Sequence, residues 1–348
     1  MPTPMRWLDC GERAPDFILP CQDGTPTRFY AKAGGRPTIL VFYDADTGET
    51  LRQFAAVLHR YAADTVALLA VRRDQATKPQ QRPSERECLV PVFTDTQGTV
   101  RAAYRLDVPD KTVLFVLDPN LRILAALSLL EDVGATAHQV MACLKASLPR
   151  VEPVEITSQA PVLLIPSVLD LATCHGLLHV WETQGHVATG IEHSRGTQRE
   201  TTPSPEFKRR RDHMVQDAQL LRHLASALGR RVLSEVLKAF AFRATRFEGF
   251  KIACYDAATG GFFLPHRDNL SPATAHRRFA LSLNLNAGYE GGYLRFPEYG
   301  PHLYRPEAGG ALVFSCSHLH EVTEVTQGRR FVLLSFLFGE GDARAGHL

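Results

Sequence analysis

Residues 264–276 read LPHRDNLSPATAH, and the fold of the chain turns on what His266, Arg267 and Asp268 do there. His266 and Asp268 stand two apart. On a strand, alternate side chains share a face, so these two would project together while Arg267 pointed the other way. An imidazole and a carboxylate on one strand face are two parts of a metal site that lacks its third ligand.

The same three letters open the catalytic loop of protein kinases, where an Asn five residues after the Asp holds magnesium. Here that position is Ala273, no glycine-rich loop with a following strand lysine lies upstream, and no Asp-Phe-Gly lies downstream. The kinase reading fails on those absences. A metal site fares better, because His320 opens the apolar stretch HEVTEVTQGRRFVLLSFLF, residues 320–338. Two imidazoles and one carboxylate on adjacent strands make the facial triad of non-haem Fe(II), which leaves coordination positions open for a bidentate cosubstrate and dioxygen. His318, two residues earlier, competes with His320; His276 and His302 read as loop residues. Iron so held needs an electron source such as a 2-oxo acid, whose distal carboxylate needs a basic partner. Arg330 fits that need, on the next apolar strand after a turn at Gly328, whereas Arg329 would face the opposite way on a regular strand.

Outward from this region, 348 residues is long for one core and predicts two domains. A hydrophobic share of 45%, a charged share of 22% and a formal net charge of +2 describe an ordinary globular chain without a nucleic-acid-binding surface. The basic run Lys208-Arg209-Arg210-Arg211 reads as a solvated loop or helix start. The opening residues carry no signal-peptide core, and no segment has the roughly 18 uninterrupted apolar residues of a membrane span, so a cytoplasmic location is expected. Seven cysteines (10, 21, 88, 143, 174, 254 and 316) form no CxxC pair and read as free thiols.

A seam near LPRVEPVEITSQAP, residues 148–161, divides two different textures. Before it, the apolar runs PTILVFY, VALLAVR and TVLFVLD alternate with helical stretches, which predicts an α/β layer. After it come a helix over 167–185 with Ser167 or Asp170 as cap and a helical stretch over 217–240. From Phe247 onward, short strands broken by glycine and proline predict an antiparallel sandwich or jelly roll packed on those helices.

The later half resembles a known family. The stretches YDAATGGFFLPHRDN (255–269), SLNLNAGYEGGYLRFPEYG (282–300), RPEAGGALVFSC (305–316) and HEVTEVTQGRR (320–330) are similar to the Fe(II)/2-oxoglutarate-dependent dioxygenases of the prolyl 4-hydroxylase type. The resemblance implies a double-stranded β-helix, with His266, Asp268 and His320 as iron ligands and Arg330 as partner of the distal carboxylate of 2-oxoglutarate. It also implies that the Tyr255 hydroxyl assists that anchor, that ascorbate supports turnover, and that an unactivated C–H is hydroxylated with release of succinate and carbon dioxide. The substrate would be an amino acid, a peptide or a protein side chain, proline included, with neither nucleic acid nor membrane as partner. Arg267, Asn269 and Arg295 are candidates for the substrate-facing mouth. Many hydroxylases of this type carry a Trp in the closing strand, where this chain reads LLSFLF.

The earlier half resembles a peroxiredoxin-like thioredoxin fold, on GERAPDFILPCQDGTPTRFYAKAGGRPTILVFYDADTGETLRQF and FTDTQGTVRAAYRL. A working peroxiredoxin needs a cysteine at the helix start after VFY. The chain has DADTGETLRQF there, residues 44–54, so no ordinary peroxidase activity is expected, and Cys21 and Cys88 read as inert thiols. The expected organisation is a thioredoxin-like domain over 1–150, a linker over 151–160 and the dioxygenase domain over 161–348. Substrate docking, homodimerisation or protection of the iron enzyme are the roles left for the first domain. A thiol peroxidase relative with an auxiliary oxygenase half, or a binding module without catalysis, are the competing readings.

Overall fold

Strand β1, Thr38–Tyr43, is buried at all six positions, as its unbroken apolar run demands of a central strand. In the computed structural model, which describes residues 7–44, 47–62, 65–73, 90–106, 112–148, 152–195, 198–202 and 204–345, it is the middle of a five-stranded sheet. β2 (Ala67–Arg73) lies parallel to it and β3 (Val92–Asp95) parallel to β2. On the other side β4 (Val113–Leu117) and β5 (Ile123–Ser128) run antiparallel. Ile39 and Val41 pack under helices α1 (Gly48–Ala62) and α2 (Val133–Ser147), while Leu40 and Phe42 meet Phe29, Tyr104 and Phe115 on the other face. This is a thioredoxin-like α/β layer. Cys88, Ala45 and Asp46 lie outside the described residues, as does Val151 at the start of the expected linker.

Contacts divide the chain into two units, Met1–Pro153 and Val154–Leu348. The second unit is a jelly roll of two antiparallel sheets. Its larger sheet runs in the order β6 (Leu163–Ile165), β13 (Ala311–Ser315), β11 (Phe279–Asn284), β15 (Arg329–Phe338), β9 (Lys251–Asp256) and β8 (Arg211–Met214), edged by Val187–Ala188. Its smaller sheet runs β7 (Lys208–Arg209), β10 (Phe262–His266), β14 (His320–Val322) and β12 (Leu294–Arg295), edged by Leu303–Tyr304. Period-two alternation separates two cores. Ile252, Cys254, Phe331 and Leu333 face the helices, while Ala253, Tyr255, Val332, Leu294 and Phe314 meet between the sheets.

Three helices back the larger sheet: α3 (Leu171–Thr183), α4 (Ala218–Arg231) and α5 (Leu233–Phe240). The cap of α3 is Asp170, whose carboxylate accepts from the Thr173 N–H at 2.7 Å; Ser167 does not serve. The helical stretch 217–240 is interrupted at Val232 (φ −111°, ψ −45°), a fully buried residue. That break lets Leu224 and Leu228 before it and Val236 after it reach one core. Among the described residues no helix is long and apolar enough to cross a membrane.

Candidate metal centre and its cavity

The antiparallel register of β10 and β14 sets His266 opposite His320, with ring centroids 4.2 Å apart. Asp268 stands beyond the end of β10, so it does not share a strand face with His266 as the two-residue spacing predicts. The loop supplies the turn instead. The Asp268 N–H donates to the Cys316 carbonyl at 3.0 Å, and the Arg277 guanidinium donates to the Asp268 carbonyl at 3.3 Å. Its carboxylate then returns to the pair, 3.7 Å from His266 Nε2 and 3.3 Å from His320 Nε2. One ligand atom from each of the three residues lies within 4.8 Å of the others.

The tautomers are fixed by carbonyls, which can only accept. His266 Nδ1–H donates to the Leu264 carbonyl at 2.8 Å and His320 Nδ1–H to the His318 carbonyl at 3.0 Å. Both Nε2 lone pairs therefore face the shared space, the arrangement that outer-sphere partners enforce at metal sites. Burial, and then the neighbouring His320, push His266 down to about 4, although Asp268 works the other way. His266 is thus neutral, as a ligand must be, across the physiological range. An unfolded histidine titrates near 6.5, so below that pH the unfolded chain binds the extra proton. The metal-free protein should lose stability as pH falls from about 6.5 towards about 4. Thermal melts at pH 7 and pH 5 check this, with His266→Gln expected to flatten the difference.

Across the cavity, Arg330 faces Tyr255 between β15 and β9 and is 3% exposed. Its Nη2 reaches Ser282 Oγ at only 3.5 Å, and its Nε and Nη1 have no hydrogen-bond partner among the described residues. Buried donors left unmade are costly, and a charged group costs more, so this guanidinium suits a carboxylate ligand. Gly292 (φ +61°) leaves room for it, since a Cβ there would sit 2.8 Å from the Arg330 Cδ. Arg329 points outward to Glu182 at 3.3 Å, as strand alternation predicts. The Tyr255 ring lies 5.3 Å under the Arg330 guanidinium, while its hydroxyl accepts from Arg210 Nη1 at 3.3 Å.

The basic run 208–211 is neither a solvated loop nor a helix start. It forms β7 and the beginning of β8, and Lys208 and Arg210 turn inward to line the cavity. Arg210 is forked onto Asp212 at 2.6 and 2.7 Å. Burial alone would lower the Arg210 guanidinium, but the Asp212 carboxylate beside it raises it above its ordinary value. Alternation of Lys208 and Arg210 with Arg209 and Arg211 was the available signal, hidden because four adjacent charges look uniformly polar.

Of the mouth candidates, Arg267 lines the rim but is paired with Glu298 at 2.6 Å. Asn269 Nδ2 donates to Ser317 Oγ at 2.9 Å, and Arg295 is paired with Glu321. His318 stays outside the triad, with Nδ1 3.2 Å from the Tyr299 hydroxyl. His276 joins Arg277 on Glu248, and His302 is exposed. In the closing strand, Phe336 fills the wall, with the Arg277 guanidinium 3.9 Å over its ring. The cavity volume is about 360 Å³.

Residues 250–338 match the family model of the 2OG-Fe(II) oxygenase superfamily, and residues 10–126 match that of the AhpC/TSA family. A curated relative from Mycobacterium tuberculosis, whose name assigns it to the peroxiredoxins, is 28% identical over 150 residues, 40% of this chain and 97% of its own. Among solved structures, a Trichoplax adhaerens prolyl hydroxylase in complex with a hypoxia inducible factor peptide fragment is 15% identical, covering 53% of this chain and 87% of its own, with a TM-score of 0.42. A Pseudomonas putida prolyl-4-hydroxylase is 18% identical, covering 52% of this chain and 94% of its own, with a TM-score of 0.38.

Proposed function

We propose that this chain, a dioxygenase whose C-terminal unit is a 2OG-Fe(II) oxygenase domain and whose N-terminal unit belongs with the AhpC/TSA family, hydroxylates an unactivated C–H of an amino acid, peptide or protein side chain, proline included. One observation carries the reading: two bare Nε2 atoms and a carboxylate converge in the same cavity as a buried arginine with unmade donors. His266, Asp268 and His320 would hold Fe(II), and Arg330 would hold the distal carboxylate of 2-oxoglutarate. Iron and 2-oxoglutarate together supply the oxidising power for C–H hydroxylation, releasing succinate and carbon dioxide.

The chain's own part is positional. Arg330 fixes one end of the cosubstrate, Tyr255 supports the guanidinium from below, and Val332, Leu334 and Phe336 exclude water along the floor. Phe263 and Phe314 pack on the imidazoles at centroid distances of 3.5 and 4.6 Å and restrict their rotation.

The N-terminal unit supports no thiol chemistry in this reading. No cysteine stands between Tyr43 and Phe54, and burial pushes the Cys143 thiol up, away from reactivity. Anaerobically purified full-length protein given Fe(II), ascorbate, 2-oxoglutarate and air should release succinate. The same preparation should not consume hydrogen peroxide with a thiol reductant. Peroxide turnover without succinate would replace this reading by the peroxidase one.

A further inference from the structure

The paired strands that carry the two histidines end at those histidines. Beyond the pair of His266 with His320, the chain leaving β10 runs beside the chain entering β14 outside the strand ladder. Side chains take over there. Asn269 Nδ2 donates to Ser317 Oγ at 2.9 Å, next to the bond from the Asp268 N–H to the Cys316 carbonyl. Arg267, between the two ligands in sequence, donates from Nη1 to the Ser317 carbonyl and to Glu298 Oε2 at 3.2 Å, and from Nη2 to Glu298 Oε1 at 2.6 Å. Glu298 Oε2 also accepts from the Leu319 N–H at 2.9 Å, one residue before His320.

Glu298 has a firm mount. It sits in the short turn Pro297–Tyr299, which the Tyr299 N–H closes on the Phe296 carbonyl at 2.9 Å. Phe296 is buried against Phe314 and His320, at centroid distances of 5.0 and 6.2 Å, and the Tyr299 hydroxyl meets His318 at the other end of the turn. One carboxylate therefore grips both the loop that carries Asp268 and the segment that leads into His320. A ligand on a loop needs such a grip, because no ladder of backbone bonds fixes it. The Arg267 and Glu298 side chains are 30% and 36% exposed, so the pair adds little to global stability and its consequence is local.

We infer that Arg267 and Glu298 are positioning residues of the metal centre, a latch that holds Asp268 at the place the two imidazoles require. The inference rests on the metal reading above and gives the middle residue of His-x-Asp a task other than substrate contact. Its donors favour that task. The guanidinium is committed to Glu298 and to the Ser317 carbonyl, so a substrate at the rim would have to displace the bonds that hold a ligand loop. Outer-sphere partners orient metal ligands through bonds of this kind.

The test titrates Mn(II) into metal-free full-length protein under nitrogen, and then 2-oxoglutarate into the Mn(II)-saturated form, both by calorimetry. Arg267→Met should weaken Mn(II) binding about tenfold, the lower end of the range for a lost outer-sphere partner. Glu298→Gln, whose amide oxygen can still accept from Leu319, should weaken it several-fold. The double variant should bind Mn(II) no worse than Arg267→Met, since two members of one unit do not act additively. Arg267→Lys keeps a charged donor for Glu298 and should recover most of the affinity. Binding of 2-oxoglutarate to the saturated protein should be unchanged throughout, because its anchor Arg330 stands on the other sheet. Arg278→Gln is the control, an arginine forked onto Asp342 and onto neither ligand-bearing segment, and it should leave Mn(II) binding at the parental value. Circular dichroism checks folding; if Arg267→Met does not fold, Glu298→Gln and its combination with Arg267→Lys carry the same comparison. Parental Mn(II) binding in Arg267→Met or Glu298→Gln, losses that multiply in the double variant, or an equal loss in Arg278→Gln would overturn the inference. Failure of the parent protein to bind Mn(II) would instead strike the metal reading, and this one with it.

Discussion

Asp268→Ala is expected to abolish Mn(II) binding and 2-oxoglutarate-dependent succinate release together, while leaving the fold intact. The fold survives because the backbone of Asp268 makes the structural contacts, its N–H to Cys316 and its carbonyl to Arg277, and neither needs the side chain. The carboxylate is different. Its two oxygens stand 3.7 and 3.3 Å from the two imidazole Nε2 atoms, and no other carboxylate joins this group among the described residues. Loss of an outer-sphere partner typically costs about 10–100-fold in metal affinity or activity. Loss of the only anionic ligand should exceed that range. Metal affinity read by calorimetry, beside an unchanged far-ultraviolet circular dichroism spectrum, checks both halves. Mn(II) binding within threefold of the parent would remove Asp268 from the site.

How much of this was legible beforehand differs from residue to residue. His266 and His320 were readable because each lies on a strand and the antiparallel register brings them opposite one another. Asp268 was readable as a residue but not as a geometry. The spacing assumed one continuous strand, whereas the strand stops at His266 and hydrogen bonds to distant Cys316 and Arg277 turn the carboxylate back. Such turns depend on partners far along the chain, which local periodicity does not encode. Alternation put Arg330 and Arg329 on opposite faces, and they part as that rule requires, one buried and one on Glu182, but the choice of Arg330 as the inward one rested partly on the family resemblance.

Lys208 and Arg210 were misread for an instructive reason. A run of four basic residues is ordinarily a solvated face, but this one crosses an edge where Asp212 can accept the Arg210 fork inside the wall. The deciding carboxylate was only two residues away, yet composition gives no sign that it is buried. Val232 shows the same limit for helices, since its break serves a core assembled from five separate strands as well as α3, α4 and α5. In the closing strand, Phe336 supplies an aromatic wall, and its packing on Arg277 depends on a loop no periodic pattern reaches.

Arg330→Met should raise the KM for 2-oxoglutarate by about 30-fold or more, since truncating one partner of a buried, hydrogen-bonded charge pair costs roughly 2–5 kcal/mol, at about 1.4 kcal/mol per tenfold. The effect on the ligand-free protein should have the opposite sign. In that state Nε and Nη1 are buried without partners among the described residues, and the guanidinium forms no ion pair with a described carboxylate. Methionine fills similar space without a charge to desolvate, so the melting temperature of the metal-free variant should hold or rise. Arg330→Lys separates charge from shape: it keeps a cation above Tyr255 but loses the planar fork, and its KM should fall between those of the parent and the methionine variant. A residue that merely braced the fold would show the reverse pattern, a lower melting temperature with KM unchanged. That outcome would take the anchor assignment away from Arg330 and move it to another cation of the cavity lining.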